Sequence, residues 1–324
     1  MLTTRFTELV GCTAPIQQAG MGSLSNPRLA AAVAGAGGLG MISIYGVDPE
    51  TIADIFEQLP RSVPGAYGAN IIPLFVEPDQ MRATIEASAA QARIVEFFYS
   101  DPDPELIDIV HARGALACWQ VGSLEEAVAA EKAGCDLIVA QGIEAGGHVR
   151  GRISLLALLG EVLDVVKVPV LAAGGIGSGR ALAAVLAAGA DGARVGTRFV
   201  ASEEAEAHPT YVQGLITANA EDTVYSEAFH VGWEDAPHRT LRSAVEAAGV
   251  FQGDIVGEGS SIYTGERYPV ERFGSTAAHK GMTGAIEAMS LWAGESVSGV
   301  KRVQPAAEIV EELAREAEAL LRRW

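Results

Sequence analysis

Eight short apolar runs, at 15–19, 39–44, 67–72, 94–99, 116–121, 137–141, 169–173 and 192–196, recur along the first part of this chain. Helix-length segments separate them, a spacing of roughly 20 to 30 residues that is the rhythm of a parallel sheet built from βαβ units. Eight such units close into a (β/α)8 barrel of about 250 residues. The 324 residues present suffice for one barrel and an addition, or for two ordinary domains.

The connecting segments carry helix-start chemistry. Asn26-Pro27, Asp48-Pro49 and Asp103-Pro104 each place a capping side chain before a proline whose missing N–H costs nothing there. Ser123 to Glu126 reads as a capping box, and Gly134 ends the helix that follows. After residue 200 the rhythm stops. Residues 201–273 are richer in Glu, His, aromatic residues and Gly, the pattern of an inserted subdomain or lid. Residues 306–321 return to a helical stripe of Ile309, Leu313 and Leu320, which makes the eighth outer helix. The expected fold is α/β: a (β/α)8 TIM barrel from 1–200 and 274–324, with a smaller subdomain inserted after strand eight.

Several function classes are excluded. A net charge of −18 leaves no basic face for nucleic acid. Cys12, Cys118 and Cys135 are an odd number without CxxC spacing, which suggests neither a disulfide framework nor a zinc site. No His-x-x-x-His pair or acidic cluster of metal spacing appears, so no metal is expected. The uncharged run 29–47 has the length of a membrane span, but Gly35, Gly37, Gly38, Gly40 and Gly46 interrupt it. Without a secretory signal at the N-terminus, the chain reads as soluble and cytoplasmic.

The chemistry concentrates at 137–151. A buried-strand run there ends in Gln141 and breaks into a loop holding Gly142, Gly146, Gly147 and one histidine, His148. Glycines let backbone N–H groups approach a ligand closely, and an imidazole so presented is a candidate catalyst rather than a satisfied structural residue. The loops after strands seven and eight, 172–179 and 194–198, are where barrels commonly bind phosphate, although glycines also simply turn a chain. Met21, between Gly20 and Gly22, suits either the core or the face of a flat ring. Asn70 and Gln141 are amides at strand ends otherwise apolar, and each needs a partner in a ligand or in loop backbone. Together these groups describe a pocket for a nucleotide-like ring with polar edges. Glu144 reads as a loop carboxylate bonding backbone N–H groups. His230 and His238 fall in the insertion and His279 just after it, while His111 and His208 read as surface residues.

These residues resemble the nitronate monooxygenases, formerly called 2-nitropropane dioxygenases, which are FMN-dependent barrel enzymes. The likeness is carried by Gln141-Gly142-Ile143-Glu144-Ala145-Gly146-Gly147-His148, by Ala172 to Ile176 with Gly179-Arg180, and by Gly189 to Gly192 leading to Gly196-Thr197-Arg198-Phe199. Weaker support comes from Pro15 to Gly22, Asn70 and Trp292 to Ser296. The resemblance implies FMN contacts at Gly20, Met21, Gly22, Asn70, Gln141, Gly146, Gly174, Gly175, Arg194, Val195, Gly196 and Thr197, with His148 as the catalytic histidine. One departure is that both Val149 and Arg150 separate His148 from Gly151, where many members have a single residue. The implied reaction is oxidation of an alkyl nitronate or nitroalkane by O2 to a carbonyl compound and nitrite. The alternatives are an FMN-dependent enoyl-acyl-carrier-protein reductase, a flavin-free lyase or isomerase of a phosphorylated metabolite, and a non-catalytic flavin carrier. A homo-oligomer is left open.

Overall fold

The computed structural model describes residues 2–44 and 47–323, so Gly46 lies outside the described residues. In chain order the first strands are β1 (Ile16–Gln18), β2 (Leu39–Ile44), β3 (Ala66–Ile71), β4 (Ile94–Phe97), β5 (Leu116–Val121), β6 (Leu137–Gln141), β7 (Gly147–His148), β8 (Val170–Ala173) and β9 (Gly192–Val195). All but β7 pair in parallel, and β9 returns to β1, closing an eight-stranded barrel. These are the eight expected strands, with ends that differ by no more than two residues.

The barrel interior takes one side of each strand. Leu39, Met41, Ile94, Cys118, Leu137, Val139 and Leu171 fill its lower half together with Phe6 and Val10. Those last two come from a helix, Arg5–Val10, opened by a capping box at Thr4 and ended by Gly11. It closes the end of the barrel where the strands begin, a plug too short for periodicity to announce. Arg5 pins it through an ion pair with Asp191 at 2.7 Å.

Helices pack on the outer side of the barrel. Asn26, Asp48 and Asp103 cap their helices through the side chain, each with proline in the first turn. Ser123 accepts from Glu126 N–H at 3.2 Å, but the Glu126 carboxylate reaches Gly122 N–H at 2.7 Å, one residue before the position a capping box would use. Helix Ala306–Leu321 packs against Gly179–Ala187 and Pro27–Gly35, completing the outer ring. Among the described residues no helix is long and apolar enough to cross a membrane.

Beyond β9 a second hydrophobic cluster forms around Tyr211, Leu215, Phe229, Leu241, Val256, Met282, Leu291 and Val300. It thus draws on residues after 273, where the sequence reading placed a return to the barrel. Two small antiparallel sheets frame this subdomain. In one, β10 (Thr223–Ser226) and β11 (His238–Leu241) join β7; the other consists of β12 (Ile255–Ser260), β13 (Arg267–Glu271) and β14 (Thr283–Gly284). The β7–β11 pairing sets His148 opposite His238 and fastens the barrel's histidine loop to the subdomain.

Candidate active site

A cavity of about 480 Å³ lies between the ends of the barrel strands and the subdomain. Gly20, Met21, Gly22, Asn70, Gln141, Gly146, His148, Gly174, Gly175, Arg194, Gly196 and Thr197 all line it. Val195 does not line it. Alternate side chains of a strand point to opposite faces, so Arg194 faces the cavity while Val195 packs into the core outside the barrel.

Beneath the cavity sits a polar layer. Glu96 of β4 is fully buried and accepts from Gln17 Nε2 at 2.7 Å and Asn70 Nδ2 at 2.8 Å, while forming an ion pair with Arg194. An ionised carboxylate only accepts, so Asn70 must turn its NH2 toward Glu96 and leave its carbonyl oxygen on the side of Gly20. A Cβ on Gly20 would stand 2.6 Å from that oxygen, which is why glycine is needed there. Gln141 divides itself in the same way: its Nε2 donates to the His148 carbonyl at 3.0 Å, and its Oε1 is buried without a partner. Gln120 also lines the cavity with a buried, unpaired Oε1.

The loop glycines split by task. Gly142 does not line the cavity, and a Cβ there would meet Leu155 N at 2.5 Å, so it serves backbone packing rather than a ligand. Gly174 and Gly175, at φ of 111° and 69°, hold a left-handed turn on the cavity wall. Glu144 accepts from Leu155 N–H at 3.0 Å on both oxygens, the loop-carboxylate role read from sequence.

His148 is enclosed by aromatic rings. Trp233 stacks on it at 3.8 Å, Trp292 tilts at 5.1 Å, and His238 and Tyr99 stand edge-on at 5.5 and 6.1 Å. Its Nε2 is buried without a partner. Burial first, and then the neighbouring His238, push its pKa down to about 3, so the ring is neutral at neutral pH. His238 accepts from Phe229 N–H at Nε2 and donates from Nδ1 to the Ala236 carbonyl, which fixes it as a neutral tautomer. The two residues after His148 act as anchors. Val149 is fully buried and donates its N–H to Pro237 O at 2.8 Å; Arg150 pairs with Glu126 at 2.5 Å and with Asp101.

Several residues escaped the sequence reading. Glu96 had a usable signal, a carboxylate inside the apolar run Ile94-Val95-Glu96-Phe97-Phe98. Trp233, Tyr99 and His279 reach the site only through the fold.

The nitronate monooxygenase family model matches residues 3–73 and 45–316. A 5-hydroxy-7a-methyl-1-oxo-octahydro-1H-indene-4-carboxyl-CoA dehydrogenase from Rhodococcus jostii is 32% identical over 256 residues, 78% of this chain and 70% of that protein. Among solved structures, FabK from Thermotoga maritima superposes with a TM-score of 0.79 at 28% identity, covering 100% of this chain and 98% of that one. The nitroalkane oxidase from Streptomyces ansochromogenes gives 0.76 at 28% identity, covering 99% of each chain.

Proposed function

The chain belongs to the nitronate monooxygenase family, and on that premise we propose that it is an FMN-dependent enzyme oxidising alkyl nitronates or nitroalkanes with O2 to a carbonyl compound and nitrite. The observation that carries the reading is the bare Nε2 of a neutral His148 on the wall of a cavity that also holds the Gly174-Gly175 and Gly196-Thr197 loops.

The residues present fit a flavin. Gln120 and Gln141 offer unpaired buried acceptors, as a ring with N–H edges requires, and Gly174 and Gly175 line the cavity in left-handed conformations that L side chains rarely adopt. In this reading Gly174, Gly175, Gly196 and Thr197 hold the phosphate through backbone N–H groups, while Met21, Asn70, Gln141 and Arg194 surround the ring. When bound, FMN supplies the electron acceptor. His148 takes a proton at Nε2 from the carbon next to the nitro group, or holds a preformed nitronate by hydrogen bonding. Trp233 and Trp292 keep water from that proton.

A purified protein with a flavin spectrum that bleaches anaerobically on adding nitronate, and that releases nitrite in air, is the expected result. A colourless protein that takes up no FMN overturns the reading. A second reading, reduction of an enoyl thioester by a nicotinamide, is favoured by the R. jostii relative, which is named for an acyl-CoA. NADH oxidation dependent on an enoyl thioester separates the two.

A further inference from the structure

The cavity reaches beyond the residues assigned to the flavin. It is also lined by Ser23, Leu24 and Tyr211 and by the turn 261–263, which joins β12 to β13. The turn is held by its own bonds, Ser261 N–H to Glu266 O at 2.8 Å and Gly265 N–H to Ser261 O at 2.9 Å. Tyr263 packs back onto the cluster of the barrel. Two hydroxyls among these further lining residues, Ser23 Oγ and Tyr263 OH, are buried without any partner. Buried polar groups are almost always satisfied, so a pair of bare hydroxyls lining one cavity marks where a ligand brings its own hydrogen-bonding group. Charge narrows the class. Among the described lining residues the only Lys or Arg is Arg194, which is committed to Glu96. Burial pushes the Tyr263 phenol up to about 12, so it stays protonated and can both donate and accept.

We infer that the wall carrying Ser23 and Tyr263 is a second substrate subsite, which takes an uncharged oxygen function borne on an apolar chain or ring away from the reacting carbon. A hydroxyl, ketone or amide fits; a carboxylate does not, because nothing there neutralises it. This deepens the nitronate reading and rests on it for the identity of the reacting end.

The test compares 1-nitroalkanes of about four to eight carbons, a ligand size for such a cavity, each unsubstituted, with a terminal hydroxyl or with a terminal carboxylate. Binding to the FMN-loaded protein is followed by quenching of Trp233 and Trp292, which line the cavity. At the best length the hydroxyl compound binds about three- to tenfold tighter than the unsubstituted one, the share of one net hydrogen bond. The carboxylate binds more weakly than either. Tyr263→Phe or Ser23→Ala reduces the hydroxyl preference to within about twofold. Equal affinity of hydroxyl and unsubstituted compounds at every length overturns the subsite, as does a preference that survives both substitutions. Nitrite release is measured on the same nitronates. A binding preference without turnover removes the nitronate reading and leaves the subsite standing; turnover without preference does the reverse.

Discussion

The rings of His148 and Trp233 lie face to face, centroids 3.8 Å apart and planes inclined by 29°. Trp233 is in turn held edge-on by Phe75 and Tyr99, each at 4.8 Å, and Tyr99 sits at φ 61°, a backbone conformation costly for a bulky residue. The subdomain thus places an indole over the one imidazole of the histidine loop. A covered imidazole is a dry one, and that accounts for the depressed pKa.

Opening that stack should expose the ionisation. Trp233→Ala admits water, so the pKa of His148 rises from about 3 toward its ordinary value near 6.5. A base works only when unprotonated, so kcat/KM for a neutral nitroalkane falls on the acid side of that pKa. In the wild type this limb lies below pH 5, whereas in the variant it moves into the range between about pH 5 and 7. The check is a pH profile of both proteins; superimposable profiles would show that Trp233 does not govern the imidazole.

Glu96 should be a stability determinant first. Glu96→Gln leaves the Arg194 guanidinium, which is 7% exposed, without a counter-charge inside the barrel. Breaking one half of a buried pair costs about 3–5 kcal/mol. Adding Arg194→Met removes the stranded charge and should recover much of the loss. Urea unfolding of the single and double variants measures both, and a single variant as stable as wild type would mean that Arg194 finds water or another partner.

How much of this was legible follows from burial. Strands covered outside by helices and inside by packed side chains are buried on both faces and read as mostly apolar runs, so the barrel could be counted from the sequence. In the subdomain β12 and β13 are half exposed and interrupted by Gly257, Gly259 and Pro269, and β7 is two residues long, so their pattern carries little. Asn70 and Gln141 stood out as polar groups in apolar runs, Arg194 entered only with the loop after strand eight, and Glu96 carried the same signal as the amides without being read. The partnership of His148 with Trp233 left no local trace, because long-range pairing creates it.

The Gly174-Gly175 turn gives a test of cofactor retention separate from catalysis. Gly175, at φ 69°, is strained by any L side chain, and its Cβ would point into the turn 3.6 Å from Glu144 Cβ. Gly175→Leu should weaken FMN binding by about tenfold or more, since the αL backbone costs a side chain roughly 1–2 kcal/mol and the turn proposed to hold the phosphate must shift to relieve it. The ratio of flavin to protein absorbance after gel filtration reads it directly. Full flavin content in a folded variant would move the phosphate elsewhere.

His148→Asn separates the two tasks open to the imidazole. A general base contributes about 10²- to 10⁴-fold, so if Nε2 removes the proton, turnover of the neutral nitroalkane falls by that factor while the preformed nitronate is spared. If the ring instead anchors the anion, both substrates slow together, and KM for the nitronate rises. Flavin should remain bound in either case, because Gln141 holds this loop through the backbone carbonyl of residue 148, which the substitution keeps. Steady-state turnover of both substrates, with flavin content measured in each preparation, decides between them. A flavin-replete variant that turns over both at the wild-type rate would leave His148 as a wall residue beneath Trp233, with the chemistry to be sought elsewhere in the cavity.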